Sequence, residues 1–249
     1  MSGMTPVFKQ LMQAIDKAPA QGSDTLLCDS QLLGFDTETT GTRAGKDAIV
    51  SASLVLRDPA AGYQGDVVGE WIINPHCAMN PKASQVNGFT DEFLAQHGEE
   101  PTEAVDQVAR IIDAAQTKRI PLLAYNACFD IDMLSADLKR WGLAPLAEPL
   151  VVDPLVIDRA ISKRSGRRTL EYTTQYYGVE PHGDFHDARA DTVAAVDLIK
   201  PMSTLYPQVG KISLDELMQW QRSAFETWKE SFNEWLSSKG RRPVTDTWL

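Results

Sequence analysis

Cysteine is scarce in this chain, basic residues are outnumbered, and long apolar runs and internal repeats are missing. The three cysteines, Cys28, Cys77 and Cys128, are odd in number and irregularly spaced, which excludes a disulfide framework and fits reduced thiols in a cytoplasmic protein. No apolar run is long enough to span a bilayer and no charged-then-apolar leader opens the chain, so no membrane role is expected. With 24 Lys and Arg against 34 Asp and Glu, the net charge is −10. Contact with nucleic acid is therefore expected to be local, confined to a strand end and not spread along a long duplex. What is present is apolar content of 43% in 249 residues, enough for one sizeable core and a small appendage.

Three short segments carry chemistry. In the first, the apolar run Leu32-Leu33-Gly34-Phe35 reads as a buried strand, ended by the turn chemistry of Thr39-Thr40-Gly41. Asp36 and Glu38 lie two apart on one strand face and can grip one ion together. In so acidic a chain the pair is common by chance, and a polar strand end facing water is the alternative. In the second, Pro121 to Tyr125 reads as another buried strand, followed by a helix with Ile131, Leu134, Leu138 and Trp141 on its apolar side. Asp130 then falls beyond the carboxyl end of the strand, where open α/β sheets place ligands. Asp132 faces elsewhere on the same helix. In the third, His186 and Asp191 are separated by roughly 500° of helical rotation and would diverge by about 140° on one helix. They converge if His186 ends a loop and the helix begins just after it, with Asp187 as the starting residue and Asp191 in the second turn.

Four converging carboxylates repel: two charges about 4 Å apart cost roughly 4 kcal/mol at an effective dielectric of 20. Cations or raised pKa values must absorb that cost. An all-oxygen set with no Cys or His cluster favours hard ions, two Mg²⁺ or Mn²⁺, over zinc. Paired cations of this kind clamp the attacking and leaving oxygens of an in-line phosphodiester displacement. His186 remains as the general base, a neutral imidazole taking a proton from the attacking water.

The order and context of these segments resemble the DEDDh, DnaQ-like family of 3′–5′ exonucleases, to which proofreading subunits of bacterial replicative polymerases belong. The resemblance covers most of residues 30–200. It implies an α/β fold of the RNase H-like superfamily: a mixed five-stranded sheet ordered 3-2-1-4-5, flanked by helices, with the site beside strand one. It assigns Asp36, Glu38, Asp130 and Asp191 as metal ligands and His186 as base, through the Asn-x-x-Phe-Asp motif that selects Asp130 over Asp132. It also places Thr39 against the terminal nucleotide, Phe129 and Asn126 near the last bases, and Asn87 and Phe89 in the segment lining that nucleotide. Relatives commonly carry His where Asn87 stands. Asp153 is not a ligand in the family and reads as a helix cap. Cys128 reads as packing.

Strands are expected over residues 31–36, 48–56 and 66–73 as an antiparallel meander, with parallel additions near 121–125 and 149–153. Residues 30–205 form the expected exonuclease domain; 1–29 and 206–249 are helical extensions. In the latter, Ser213 and Glu216 make a capping box, Gly240 a stop, and Leu214, Leu217, Phe225, Trp228, Phe232 and Trp235 an apolar stripe. That stripe either packs on the core or binds a polymerase or a second copy; Trp-rich helices of this sort resemble those of stand-alone exonucleases of actinobacteria and their phages. The basic island 163–168, with Arg167 and Arg168, either meets phosphates or is a solvated loop. The expected activity is removal of nucleoside 5′-monophosphates from 3′ ends, favouring single-stranded or frayed DNA. RNA trimming stays open because no 2′-hydroxyl reader is visible. An accessory subunit that keeps the fold only for binding would be expected to have lost a ligand or the histidine.

Overall fold

The computed structural model describes residues 5–180, 182–183 and 187–249. Its centre is a five-stranded sheet ordered β3-β2-β1-β4-β5. The strands are β1 (Leu32–Thr39), β2 (Ile49–Arg57), β3 (Val67–Ile72), β4 (Leu122–Leu123) and β5 (Val151–Val152). The first three form the antiparallel meander, and β4 and β5 add in parallel beside β1. Order and direction are as expected. The two parallel strands are shorter than their apolar runs: at Tyr125 and Asp153 the chain already turns into the helices that follow.

Before the sheet lies α1 (Pro6–Lys17), and β3 leads into α2 (Pro81–Asn87), α3 (Asp91–His97) and α4 (Pro101–Thr117). α5 (Cys128–Arg140) crosses over from β4 to β5, and α6 (Pro154–Ile161) follows β5. Then come α7 (Leu170–Tyr177), α8 (Ala188–Asp197), α9 (Ile199–Leu205), α10 (Pro207–Gly210) and the long α11 (Leu217–Ser238).

Alternation along β1 decides what each face meets. Leu33 and Phe35 point into a core shared with Leu11 and Ile15 of α1, Ile111 and Ile112 of α4, and Leu134 of α5. Leu32 points the other way, into a second core with Val196 and Ile199. Gly34 is the reason α8 can lie so close on that second face. A Cβ there would stand 2.6 Å from Val196 Cγ2 and 2.7 Å from Thr192 Cγ2. The next residues on the same face of β1 are Asp36 and Glu38, so the close crossing of α8 also brings in Asp191.

Both extensions pack on this body: α1 against α4 and β3, and α11 against α6 and β5. The Ser213 hydroxyl donates to Glu216 Oε2 at 2.8 Å, but a turn intervenes and the helix starts at Leu217. Gly240 adopts φ +64°, and the Arg241 N–H closes the end by donating to Leu236 O at 3.0 Å.

Candidate active site

The site lies at the carboxyl end of β1. There the β1–β2 pairing slips by a residue between Glu38 and Thr39, an irregularity that re-aims side chains. Carboxylate oxygens of Asp36, Glu38 and Asp191 all lie within 4.8 Å of one another. Asp191 is the fourth residue of α8, in its first turn and not the second, because the helix starts at once after Asp187. Asp187 caps it, accepting the Ala190 N–H at 2.9 Å.

Asp130 reaches the same end of β1 from the other face. It sits in the first turn of α5, is 2% exposed, and accepts both the Thr37 N–H (3.0 Å) and the Thr37 hydroxyl (2.7 Å) on Oδ1. Thr37 therefore joins the two faces: it stands between Asp36 and Glu38 in sequence but points to the opposite side. The expected decoy Asp132 lines a different cavity, with α11. His186 lies outside the described residues.

The electrostatics follow from crowding. Burial pushes the Asp36 carboxyl well above its usual range, and the charges of Asp130, Asp191 and Glu38 push the same way. Burial, with Asp191 beside it, raises Glu38 to about 8, opposed by a hydrogen bond from Asn87. Burial raises Asp130 to about 7 against the lowering effect of the two Thr37 hydrogen bonds. Carboxylates so disposed bind protons or hard cations. The donor set fits a divalent cation, with Asp36, Glu38 and Asp191 as its near ligands and Asp130 alongside.

Around these acids is an open cleft of about 520 Å³, lined by Asn126, Phe129, Arg159 and Arg168 among others. Asn126 is left-handed, φ +66°, a conformation Asn tolerates. The Asp153 carboxylate holds that turn, accepting the N–H groups of Asn126 and Ala127, each at 3.0 Å. It also caps α6 through the Leu155 N–H and receives the Trp248 indole N–H at 3.1 Å. A cap was expected of Asp153; its hold on the turn that delivers Asp130 was not. Asn87 donates to the Thr39 carbonyl at 3.1 Å, so it steadies the end of β1. The buried Thr39 hydroxyl donates to Gly41 O. The Phe89 ring lies tilted at 46° to that of Phe93, with centroids 5.9 Å apart.

The basic island divides. Asp158, fully buried, takes Arg164 at 2.9 Å and is also bonded by Arg168, Ser162 and Tyr177. Burial alone would raise its carboxyl, but these partners, Arg164 first, hold it below its usual value. Arg168 thus borders the cleft with its charge largely spent internally. Arg167 is exposed and makes no ion pair among the described residues. A cation that sequence reasoning missed is Arg159. It follows Leu155 by one helical turn on α6 and lines the same cleft, a spacing that could have been read once α6 was placed.

An RNase H-like sheet with a crowded carboxylate cluster at the end of its first strand defines a class of metal-dependent nucleases and related phosphotransfer proteins. The comparisons narrow the class. The RNase T model, described as Exonuclease, matches residues 33–199, and the chain belongs to this exonuclease family, on its DEDDh, DnaQ-like branch. It is 25% identical over 187 residues to the PolC-type DNA polymerase III of Staphylococcus aureus, covering 73% of this chain and 12% of that protein. Among solved structures, E. coli exonuclease I bound to single-stranded DNA is similar at TM-score 0.60 and 21% identity, over 73% of this chain and 42% of the other. A product-bound exonuclease I gives 0.62 and 20%, over 77% and 46%. The chain thus spans about an eighth of its curated relative and under half of its structural neighbours.

Proposed function

We propose that the protein is a metal-dependent 3′–5′ exonuclease that removes nucleoside 5′-monophosphates from DNA ends, single-stranded or frayed. The observation that carries this is the triad of Asp36, Glu38 and Asp191, with ligand atoms within 4.8 Å, at the end of β1 in a chain of the exonuclease family. These residues and Asp130 would hold two Mg²⁺ or Mn²⁺ ions, which when bound neutralise the phosphodiester and lower the pKa of the attacking water. Thr37 orients Asp130, and Asn87 steadies Glu38 and Thr39. His186, next to the cap of α8, accepts the proton of the attacking water in this reading. Asn126 and Phe129 flank the cleft where the last nucleotides would lie, Arg159 lines it, and Arg167, exposed on the basic island, would meet phosphates in this reading. DNA is favoured because the structural neighbours include exonuclease I with DNA oligonucleotides bound. No segment is assigned to a polymerase.

Matched DNA and RNA oligonucleotides, single-stranded and duplex, test the proposal. Mononucleotide release should be fastest from single-stranded DNA. Faster release from RNA would reassign the substrate.

A further inference from the structure

Residues 241–249 double back along α11. The Asn233 side chain is bonded twice to Val244, accepting its N–H at 2.7 Å and donating to its carbonyl at 2.9 Å. Nearer the start of the helix, Arg222 Nε donates to the Leu249 carbonyl at 2.9 Å. Partners later on the tail lie earlier on the helix, so the two run antiparallel. The tail ends by inserting Trp248, 6% exposed, into the main core. None of this belongs to the family match, which ends at residue 199.

Trp248 carries one polar group, and that group meets Asp153. The Asp153 carboxylate is 1% exposed and forms no ion pair among the described residues. A buried anion is tolerated only when hydrogen bonds replace the water it has lost. Here four N–H groups do so: Asn126 and Leu155 on Oδ1, Ala127 and the Trp248 indole on Oδ2. The indole is the one side-chain donor among them. The Asp153 N–H is held as well, by Gln221 Oε1 of α11 at 2.7 Å.

What this carboxylate holds is the turn into α5. Ala127, at the N-cap position, has no capping side chain, so Asp153 caps α5 from another strand as it caps α6. Asn126 stands at φ +66°, a conformation that persists only where its surroundings over-determine it. Its carbonyl accepts the Phe129 N–H at 2.9 Å, and Asp130 follows in the same helical turn. A shift of the turn therefore moves one wall of the cleft and one acid of the cluster together.

We infer that Trp248 is a positioning residue of the active site: by fixing the Asp153 carboxylate it sets the Asn126–Ala127 turn, and through that turn Asp130 and the cleft wall. The inference rests on the exonuclease reading and adds to it a residue from beyond the family match. Without the indole N–H, Oδ2 is free to turn away from Ala127, and left-handed Asn126 is less firmly held. One hydrogen bond to a charged group changes such an equilibrium on the order of tenfold.

Trp248→Phe tests this, because it keeps an aromatic ring in the core and deletes the N–H. The first readout is amide exchange in the metal-free protein. Asn126 and Ala127 should exchange about tenfold faster than in wild type, beyond any change at core amides such as Leu54 and Ile111. The second is calorimetric Mn²⁺ affinity, which should weaken several-fold. The third is kcat on single-stranded DNA, which should fall about tenfold. Ile15→Val, a core truncation on α1, should lower Tm without moving any of these differences. Should Trp248→Phe not fold, Arg222→Gln takes its place, since it releases the Leu249 carbonyl and an exposed ion pair with Glu148 but leaves the core intact. It should give the same pattern, at least about twofold. Exchange at Asn126 and Ala127 that rises no more than in the core overturns the inference, as do Mn²⁺ affinity and kcat both equal to wild type. A wild type that releases no mononucleotide from any substrate overturns the exonuclease reading instead, and the exchange arm still decides what Trp248 holds.

Discussion

Replacing Asp36 by Asn should stabilise the metal-free protein while abolishing its activity. Carboxylate oxygens of Asp36, Glu38 and Asp191 lie within 4.8 Å of one another, and at an effective dielectric of 20 each such pair of full charges repels by at least about 3.5 kcal/mol. The fold escapes the full sum by protonation, and Asp36 is raised well above its usual value of 3.8. Removing the Asp36 charge relieves the pairs it belongs to, to the extent that protonation has not already done so. With solvent and bound protons screening most of that repulsion, the expected gain for Asp36→Asn is about 2 kcal/mol, or about 4–8 °C in Tm for a chain of this size. The assay is thermal unfolding at pH 7 in EDTA, repeated with Mn²⁺. Wild type should rise by about 3 kcal/mol at a hundredfold excess over Kd, and the variant should barely move, so the order of melting reverses. A variant that melts below wild type in EDTA, or gains as much from Mn²⁺, would refute the reasoning.

The pH dependence of the same protein has a definite sign. Glu38 (about 8) and Asp130 (about 7) both titrate above their unfolded values of 4.5 and 3.8, so the folded state binds protons more tightly. Their contribution is complete below about pH 4 and is lost as pH rises through 8; the EDTA-treated Tm should fall across that window and flatten with Mg²⁺. Thr37→Val removes the 2.7 Å hydroxyl bond to Asp130 but keeps the backbone one. The midpoint of activation by Mn²⁺ should move up about 10–100-fold, with Tm changing little; an unchanged midpoint would free Thr37 of this role. His186→Ala should lower kcat by at least about 10²-fold with a modest change in KM, and weaken the acid limb of the pH profile. Near-wild-type turnover at pH 7 would remove His186 from the reaction.

Much of this was legible before any coordinates, for physical reasons that differ by residue. Period-two alternation put Asp36 and Glu38 on one face, and the slip of pairing after Glu38 did not disturb that. The helical period separated Asp130 from Asp132, and the structure sends Asp132 to another cavity. Sheet order came from family resemblance, since the two-residue strands β4 and β5 carry little signal themselves. What stayed hidden depends on tertiary partners. Nothing local says that Arg164 and Arg168 are drawn to a buried Asp158, or that Thr37 joins opposite faces of the sheet. The stripe on α11 was visible as apolar spacing; that its outer tryptophan faces water was not.

The central claim is that the carboxylate cluster of β1 and α8 cuts one nucleotide at a time from a 3′ end with the help of divalent metal. A 5′-labelled single-stranded DNA and a closed circle of the same sequence, digested together with Mn²⁺ and with EDTA, test it most directly. The account predicts a ladder shortening by single nucleotides from the 3′ end with Mn²⁺, an intact circle, and no product in EDTA. Cutting of the circle, or full activity in EDTA, would contradict it.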